Sequence, residues 1–257
     1  TQSTWGSSPS VIYFMASAFI PVVGSLHSSC FRIPLSATSS PQTRSTSEHC
    51  FYRSGRLPAK QRRLVLRMAR TESRDLTLGS RPPDFMLPEP LTGKQWQLED
   101  FEPFPSLLVM FICNHCPFVK HLKSDIVMLT NFYMQKGLAA VAISSNSVLT
   151  HPMDGPELMA EDAKAFKYPF PYLYDESQDA AIGFKAVCTP EFFLFRKVGK
   201  RPFELAYHGQ YDDSRPSGNA PVTGRDLRLA IDSVLSCQPV SMDQKPSVGC
   251  NIKWHPK

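Results

Sequence analysis

The sequence predicts an α/β fold, a central mixed β-sheet flanked by helices, and three observations predict it. Ser106-Leu107-Leu108-Val109-Met110-Phe111-Ile112 and Leu138-Ala139-Ala140-Val141-Ala142-Ile143-Ser144 are apolar runs of strand length, as strands buried on both faces of a parallel sheet require. Between them Val119, Leu122, Ile126, Leu129 and Tyr133 recur at steps of three and four, one stripe of an amphipathic helix that Gly137 can end. The three elements make a βαβ unit, right-handed by strong preference. Downstream, Phe192-Phe193-Leu194-Phe195 and Leu205-Ala206-Tyr207-His208 flank a turn containing Gly199 and read as a hairpin, the antiparallel part of the sheet.

The remaining elements follow in order. Residues 82–104 carry Pro breaks and a short polar-apolar alternation around Gly93, which predicts an irregular N-terminal hairpin. A loop with Pro152, Gly155 and Pro156 leads to a helix over 157–168, with Met159, Ala163 and Phe166 on its buried face and Pro169 and Pro171 beyond its end. A short helix is expected over 178–185. Thr223-Gly224-Arg225-Asp226 fits a capping box before a last helix, whose Leu227, Ala230, Ile231, Val234 and Leu235 form the buried stripe.

Charge is unevenly placed along the 257 residues. Nine of the 28 Lys and Arg lie in residues 1–70 against one acid, Glu48, so 19 basic and 22 acidic residues remain in 71–257. The body is slightly acidic, which disfavours nucleic acid as a partner despite the net charge of +5. The one long apolar run is near the start, so a multi-spanning membrane protein is disfavoured as well, and no membrane partner is expected. Residues 1–70 are rich in Ser and Thr, nearly free of acids, and end in the basic run 60–70, the composition of an organellar transit peptide. Met15-Ala16-Ser17 reads as its start, with residues 1–14 upstream sequence. A plastid is the expected destination, with the mitochondrion as the alternative and a secretory signal disfavoured because no charge precedes the apolar run Val11–Leu26. The expected division is therefore 1–70 leader, 71–240 folded domain and 241–257 tail. Cys30 and Cys50 fall in the removable leader.

The chemistry concentrates at Cys113-Asn114-His115-Cys116, between the exit of a buried strand and the entry of a helix. Two thiols three positions apart can close a disulfide, and the free N–H groups at a helix start favour a thiolate. On this reading Cys113 is the exposed nucleophile, Cys116 the resolving thiol, and His115 an aid to the Cys113 thiolate. A free thiol of pKa about 8.5 is only about 3% ionised at pH 7, so this help decides reactivity. Half of a zinc site or inert packing are the competing readings of an isolated CxxC. Zinc needs further ligands, and no second CxxC or paired His spacing is present, although Cys188, His121 or His208 could approach in space.

Four pieces over residues 75–240 carry a resemblance: Pro83-Asp84-Phe85, the strand ending in Cys113-Asn114-His115-Cys116-Pro117, Cys188-Thr189-Pro190 before Phe192-Phe193-Leu194-Phe195, and the final helix. On them the chain resembles the thioredoxin-fold proteins of the redoxin (AhpC/TSA-like) group. The closing segment Pro246-Ser247-Val248-Gly249-Cys250-Asn251-Ile252-Lys253-Trp254 is similar to the tail of a bacterial and plastid branch of that group. The resemblance implies a thioredoxin-like fold with an insertion over 147–168, between the CxxC helix and the cis-Pro strand. It implies a cis bond before Pro190 with that proline packed on the CxxC, and dithiol–disulfide exchange with no cofactor or metal. Protein thiols or disulfides and a thiol electron donor or acceptor would be the partners, with a monomer or weak dimer as the working state.

The departures sharpen the expectation. Thioredoxin places Trp-Cys-Gly-Pro-Cys at this turn and a buried acid in the strand before it. Here Ile112 replaces the Trp, Asn114-His115 the Gly-Pro, and residues 106–112 hold no acid. His before the second Cys resembles oxidising DsbA-type turns, so a reduction potential above the thioredoxin value of about −270 mV is expected. A peroxiredoxin needs Pro-x-x-x-Thr/Ser-x-x-Cys. Met110 and Cys113 stand at the hydroxyl position, Ser106 and Val109 at the proline position, so a thiol peroxidase is the alternative function, beside a metal-binding or redox-sensor module. Cys188 and Cys250 are candidate auxiliary redox thiols, and spacing does not choose a pairing among Cys188, Cys237 and Cys250. His121, beside Lys120 and Lys123, is expected in solvent, and 207–215 as a salt-bridged surface turn.

Overall fold

Strand burial sets the architecture. The structure, a computed structural model, describes residues 70–256, and the rest of the leader, with Cys30 and Cys50, lies outside them. In chain order the elements are β1 (Arg70–Glu72), β2 (Met86–Pro88), β3 (Gln95–Gln97), β4 (Ser106–Phe111), α1 (Pro117–Met134), β5 (Leu138–Ser144) and α2 (Pro156–Phe166). They continue as β6 (Tyr172–Tyr174), α3 (Asp179–Phe184), β7 (Cys188–Thr189), β8 (Glu191–Arg196), β9 (Glu204–Gly209), α4 (Arg225–Leu235) and β10 (Val248–Asn251). Every residue of β4 and β5 is buried, because both faces of these strands are covered.

The main sheet runs β6-β5-β4-β8-β9. The first three strands are parallel, while β8 lies antiparallel between β4 and β9. Side chains alternate between faces with the strand period of two. Leu108, Met110, Ala140 and Phe192 pack with the stripes of α1 and α4, whereas Leu107, Val109, Phe111 and Phe193 pack with α3 and the N-terminal Phe85, Leu98 and Phe101. This is the mixed thioredoxin-like α/β fold. A second, antiparallel sheet of order β1-β10-β7 joins the two ends of the described chain to the segment before Pro190. Arg70, the last residue of the predicted leader, pairs there with Cys250 of the predicted tail.

Several expectations need correction. The stripe of α1 is buried as predicted, but Lys123 on its supposed polar side is buried too, where its Nζ lies 2.7 Å from both carboxylate oxygens of Asp162. His121 is half-buried against Ser214 rather than solvated. Phe166, expected inside, is exposed, because α2 ends there and Lys167 turns into the left-handed region. The capping box before α4 is not formed. Gly224 caps that helix at φ 63°, a conformation that suits glycine, and its N–H and that of Thr223 donate to Asp212, twelve and eleven residues back, at 2.7 and 2.6 Å. The turn over 207–215 is accordingly no surface turn: Gln210, Tyr211, Asp212 and Ser214 are all buried. Strands β1, β6 and β10 were not anticipated, since three or four residues carry too little alternation to read.

Asp212→Ala removes the acceptor of three backbone N–H groups, those of Ser214, Thr223 and Gly224. We expect it to lower the unfolding free energy by about 2–3 kcal/mol in urea titrations. A loss under about 0.5 kcal/mol would contradict the capping role.

Candidate active site

Strand β4 delivers Cys113 to its C-terminal end, and the chain turns through Asn114 and His115 into α1. Cys116 is the residue capping α1, in extended conformation, and Pro117 follows at the first helical position, where a missing N–H costs nothing. Facing this turn is the loop between β7 and β8, whose Thr189–Pro190 bond is cis. Cys116 Sγ lies 3.1 Å from the Thr189 carbonyl oxygen, and Cys113 Sγ lies 3.4 Å from the Thr189 hydroxyl. One residue of the proline loop, Thr189, thus touches both sulfurs of the turn.

Exposure differs from expectation. Cys113 is 1% exposed, with its sulfur against Thr189, and Cys116 is fully buried, with the closing strand β10 packed against its sulfur. Cys250 of β10, itself 1% exposed, brings its sulfur to 2.9 Å from Cys116 Sγ. All the thiols among the described residues are free.

Cys116 is held far below the ordinary thiol value by the Cys113 S–H, then by the Cys250 S–H, and further by the Val119 amide in the first turn of α1 and by Thr189. Cys113 is pushed up by its hydrogen bond to Cys116, by burial and by the charge of Asp154. The start of α1 adds a smaller contribution: the helix begins at Pro117, so Cys116 sits at its free N–H groups.

A carboxylate that the sequence reading missed organises the turn. Asp154, wholly buried in the 3-10 turn Pro152–Asp154 of the insertion, accepts the N–H of Asn114 at 2.8 Å, the N–H of His115 at 3.1 Å and Asn146 Nδ2 at 2.9 Å. Its other contact is His115 Nδ1 at 2.5 Å. Burial raises the Asp154 pKa, but the hydrogen bonds from His115 and Asn146 outweigh it and hold the carboxyl below its ordinary value. With Nδ1 engaged, the other ring nitrogen of His115, Nε2, is buried without a partner. The His115 ring lies 4.8 Å from that of His151, and Cys113 Sγ is 3.8 Å from its Nδ1. Asn114 completes the fastening, donating to the Met153 carbonyl at 3.0 Å and accepting from Tyr172 at 3.2 Å. Only the breaker-rich context of Asp154, Pro152 before and Gly155-Pro156 after, hinted at a structured turn.

Cys188 is placed elsewhere. Its sulfur faces Glu191 at 3.6 Å and the Pro190 carbonyl at 3.9 Å, and burial together with the Glu191 charge pushes its pKa up. Glu191 is wholly buried, accepts the N–H groups of Val187 and Cys188, and pairs with His208 Nε2 at 2.8 Å. Pro190 lines a small cleft with Phe118, His121 and Tyr211. Cys237 is exposed after α4, apart from the other thiols. As for a metal, ligand atoms of Cys113, His115 and Asp154 lie within 4.8 Å of one another, a mixed sulfur, nitrogen and oxygen set of the kind zinc accepts.

Residues 78–200 match the AhpC/TSA family. Among solved structures, the chain is similar to a conserved protein of uncharacterized function from Geobacillus kaustophilus, with 46% identity, a TM-score of 0.71 and coverage of 74% of this chain and 98% of that one. It is also similar to a hypothetical protein from Sinorhizobium meliloti 1021, with 44% identity, a TM-score of 0.70 and coverage of 73% and 100%. Curated proteins gave no match.

The Asp154 clamp has a pH signature. A carboxyl with a depressed folded pKa contributes stability that is present above its unfolded value of about 3.9 and is lost as pH falls through the folded value. Asp154→Ala should therefore lower the unfolding free energy by about 3 kcal/mol at pH 7, and the gap to the parent should narrow toward about pH 2. Urea titrations at several pH values read this directly, and a gap that does not change with pH would contradict it.

Proposed function

Because the chain belongs to the AhpC/TSA family of thioredoxin-fold redoxins, we propose that it is a thiol–disulfide oxidoreductase in which Cys113 attacks and Cys116 resolves. The observation that carries this reading is the meeting of both CxxC sulfurs at Thr189, next to the cis Pro190 and at the start of α1. When Cys113 sulfur attacks a disulfide, its proton passes along the existing hydrogen bond to Cys116, and one substrate sulfur leaves as thiolate. Cys116 then attacks Cys113 of the mixed disulfide and gives its proton to the second leaving sulfur. Two electrons and one proton have moved from the dithiol to the substrate, and the reverse sequence oxidises a substrate dithiol.

Thr189 touches both reacting sulfurs, next to the cis Pro190. Asp154 orients His115 beside the Cys113 sulfur. Protein thiols or disulfides fit as substrates, exchanging with a thiol donor or acceptor, and no cofactor enters these steps. The basic, acid-poor leader supports delivery to a plastid.

A thiol peroxidase is the second reading, favoured by the Thr189 hydroxyl 3.4 Å from Cys113 Sγ, a group that the local motif lacks. Peroxide would then give a sulfenic acid on Cys113 at least as fast as disulfides react, which sulfenic-acid trapping detects. Near-stoichiometric zinc in the reduced, anaerobically purified protein would instead mark a metal-holding module.

For the exchange reading, Cys113→Ser should abolish turnover of a protein disulfide with glutathione. Cys116→Ser should slow the first attack, because its proton acceptor is gone, yet accumulate mixed disulfides on Cys113, seen as added mass on the intact chain. Wild-type rates in both variants would overturn the assignment.

A further inference from the structure

We propose that Cys250 is a third redox thiol, which takes over Cys116 from the Cys113–Cys116 disulfide and so fastens strand β10 over the site as a covalent latch. The proposal rests on the exchange reading above. Its geometric basis is the 2.9 Å approach of Cys250 Sγ to Cys116 Sγ, between residues with almost no exposure. No other thiol among the described residues is so placed: Cys188 faces Glu191 and the Pro190 carbonyl, and Cys237 is exposed.

The backbone holds that sulfur in position. β10 pairs antiparallel with β7, Cys250 opposite Thr189 and Asn251 opposite Cys188, and with β1 on its other edge. Gly249 makes the approach possible, since a Cβ there would stand 2.0 Å from the Thr189 carbonyl oxygen and 2.5 Å from its carbon. Beyond Cys250, the Ile252 N–H donates to the Val187 carbonyl at 3.0 Å and the Lys253 N–H to Asn146 Oδ1 at 2.8 Å. Asn146 also donates to Asp154, so the tail and the CxxC turn are tied to one side chain.

The exchange balances without an added oxidant once Cys113–Cys116 has formed, at the expense of a substrate disulfide or glutathione disulfide. Cys250 thiolate attacks Cys116 Sγ, the Cys116–Cys250 bond forms, the Cys113–Cys116 bond breaks, and Cys113 leaves as thiolate. The proton lost by Cys250 is regained at Cys113, beside the Thr189 hydroxyl and His115. No electrons are gained or lost. In the reduced protein the neighbouring Cys116 thiolate keeps Cys250 protonated, chiefly through their hydrogen bond. Once Cys116 is in a disulfide that charge is gone, while Lys253 still favours the Cys250 thiolate. Oxidation thus arms the latch, and reduction leaves β10 held by hydrogen bonds and packing alone.

The test uses the full chain. Cys113→Ser is treated with glutathione disulfide, quenched in acid, alkylated and mapped by peptide mass spectrometry. The expected product is Cys116 linked to Cys250 within one chain, with that link lost in Cys113→Ser/Cys250→Ser, where Cys116 carries glutathione instead. The wild-type protein should show the same link beside Cys113–Cys116, so the readout does not depend on one variant's folding. In Gly249→Ala, checked for native circular dichroism, the link should fall several-fold and alkylation of reduced Cys116 should rise. If wild type forms Cys113–Cys116 while neither it nor Cys113→Ser ever links Cys116 to Cys250, the latch is overturned and the exchange reading stands. If wild type forms no Cys113–Cys116 bond at all, both fall together.

Discussion

A sulfur anion removed from water must be compensated by donors, and the site is arranged around meeting that demand at Cys116. An uncompensated buried charge costs several kcal/mol. Here the wholly buried sulfur is served by the Cys113 and Cys250 thiols, by the first turn of α1 and by Thr189. The donors come from three parts of the chain. The βαβ unit supplies the CxxC turn and the helix, the proline loop supplies Thr189, and the closing strand supplies Cys250. The thiolate is therefore a product of the assembled tertiary structure, and its stabilisation favours the reduced dithiol and raises the reduction potential.

Two buried carboxylates flank the site, although residues 106–112 hold no acid. Asp154 clamps the turn itself through two backbone N–H groups and the His115 ring. Glu191 clamps the opposite side, binding the N–H groups of Val187 and Cys188 below the proline loop while paired to His208. Neither touches Cys116, so their negative charge does not compete with the thiolate at contact distance. The insertion between α1 and β7 positions the CxxC, because it carries Asp154 to the turn.

Much of the fold was legible because its central elements are long and periodic. The apolar runs of β4 and β5 and the stripe of α1 each repeat a pattern over six residues or more, enough to separate a strand from a helix. The CxxC was legible as chemistry for the same local reason. What escaped depends on contacts distant in sequence. Asp154 reaches a turn some forty residues away, and Asp212 caps a helix across a loop, so no spacing rule brings either to its target. The burial of Cys113 could not be read at the turn, because Thr189, which packs against its sulfur, lies 76 residues later.

The thiolate absorbance of the reduced chain, followed in the ultraviolet from acid to alkaline pH with Cys116→Ser as control, tests the account most directly. It predicts one thiolate still present at about pH 5 in the parent and absent there in Cys116→Ser. Absorbance that first rises near the ordinary thiol value of about 8.5, alike in both proteins, would contradict it.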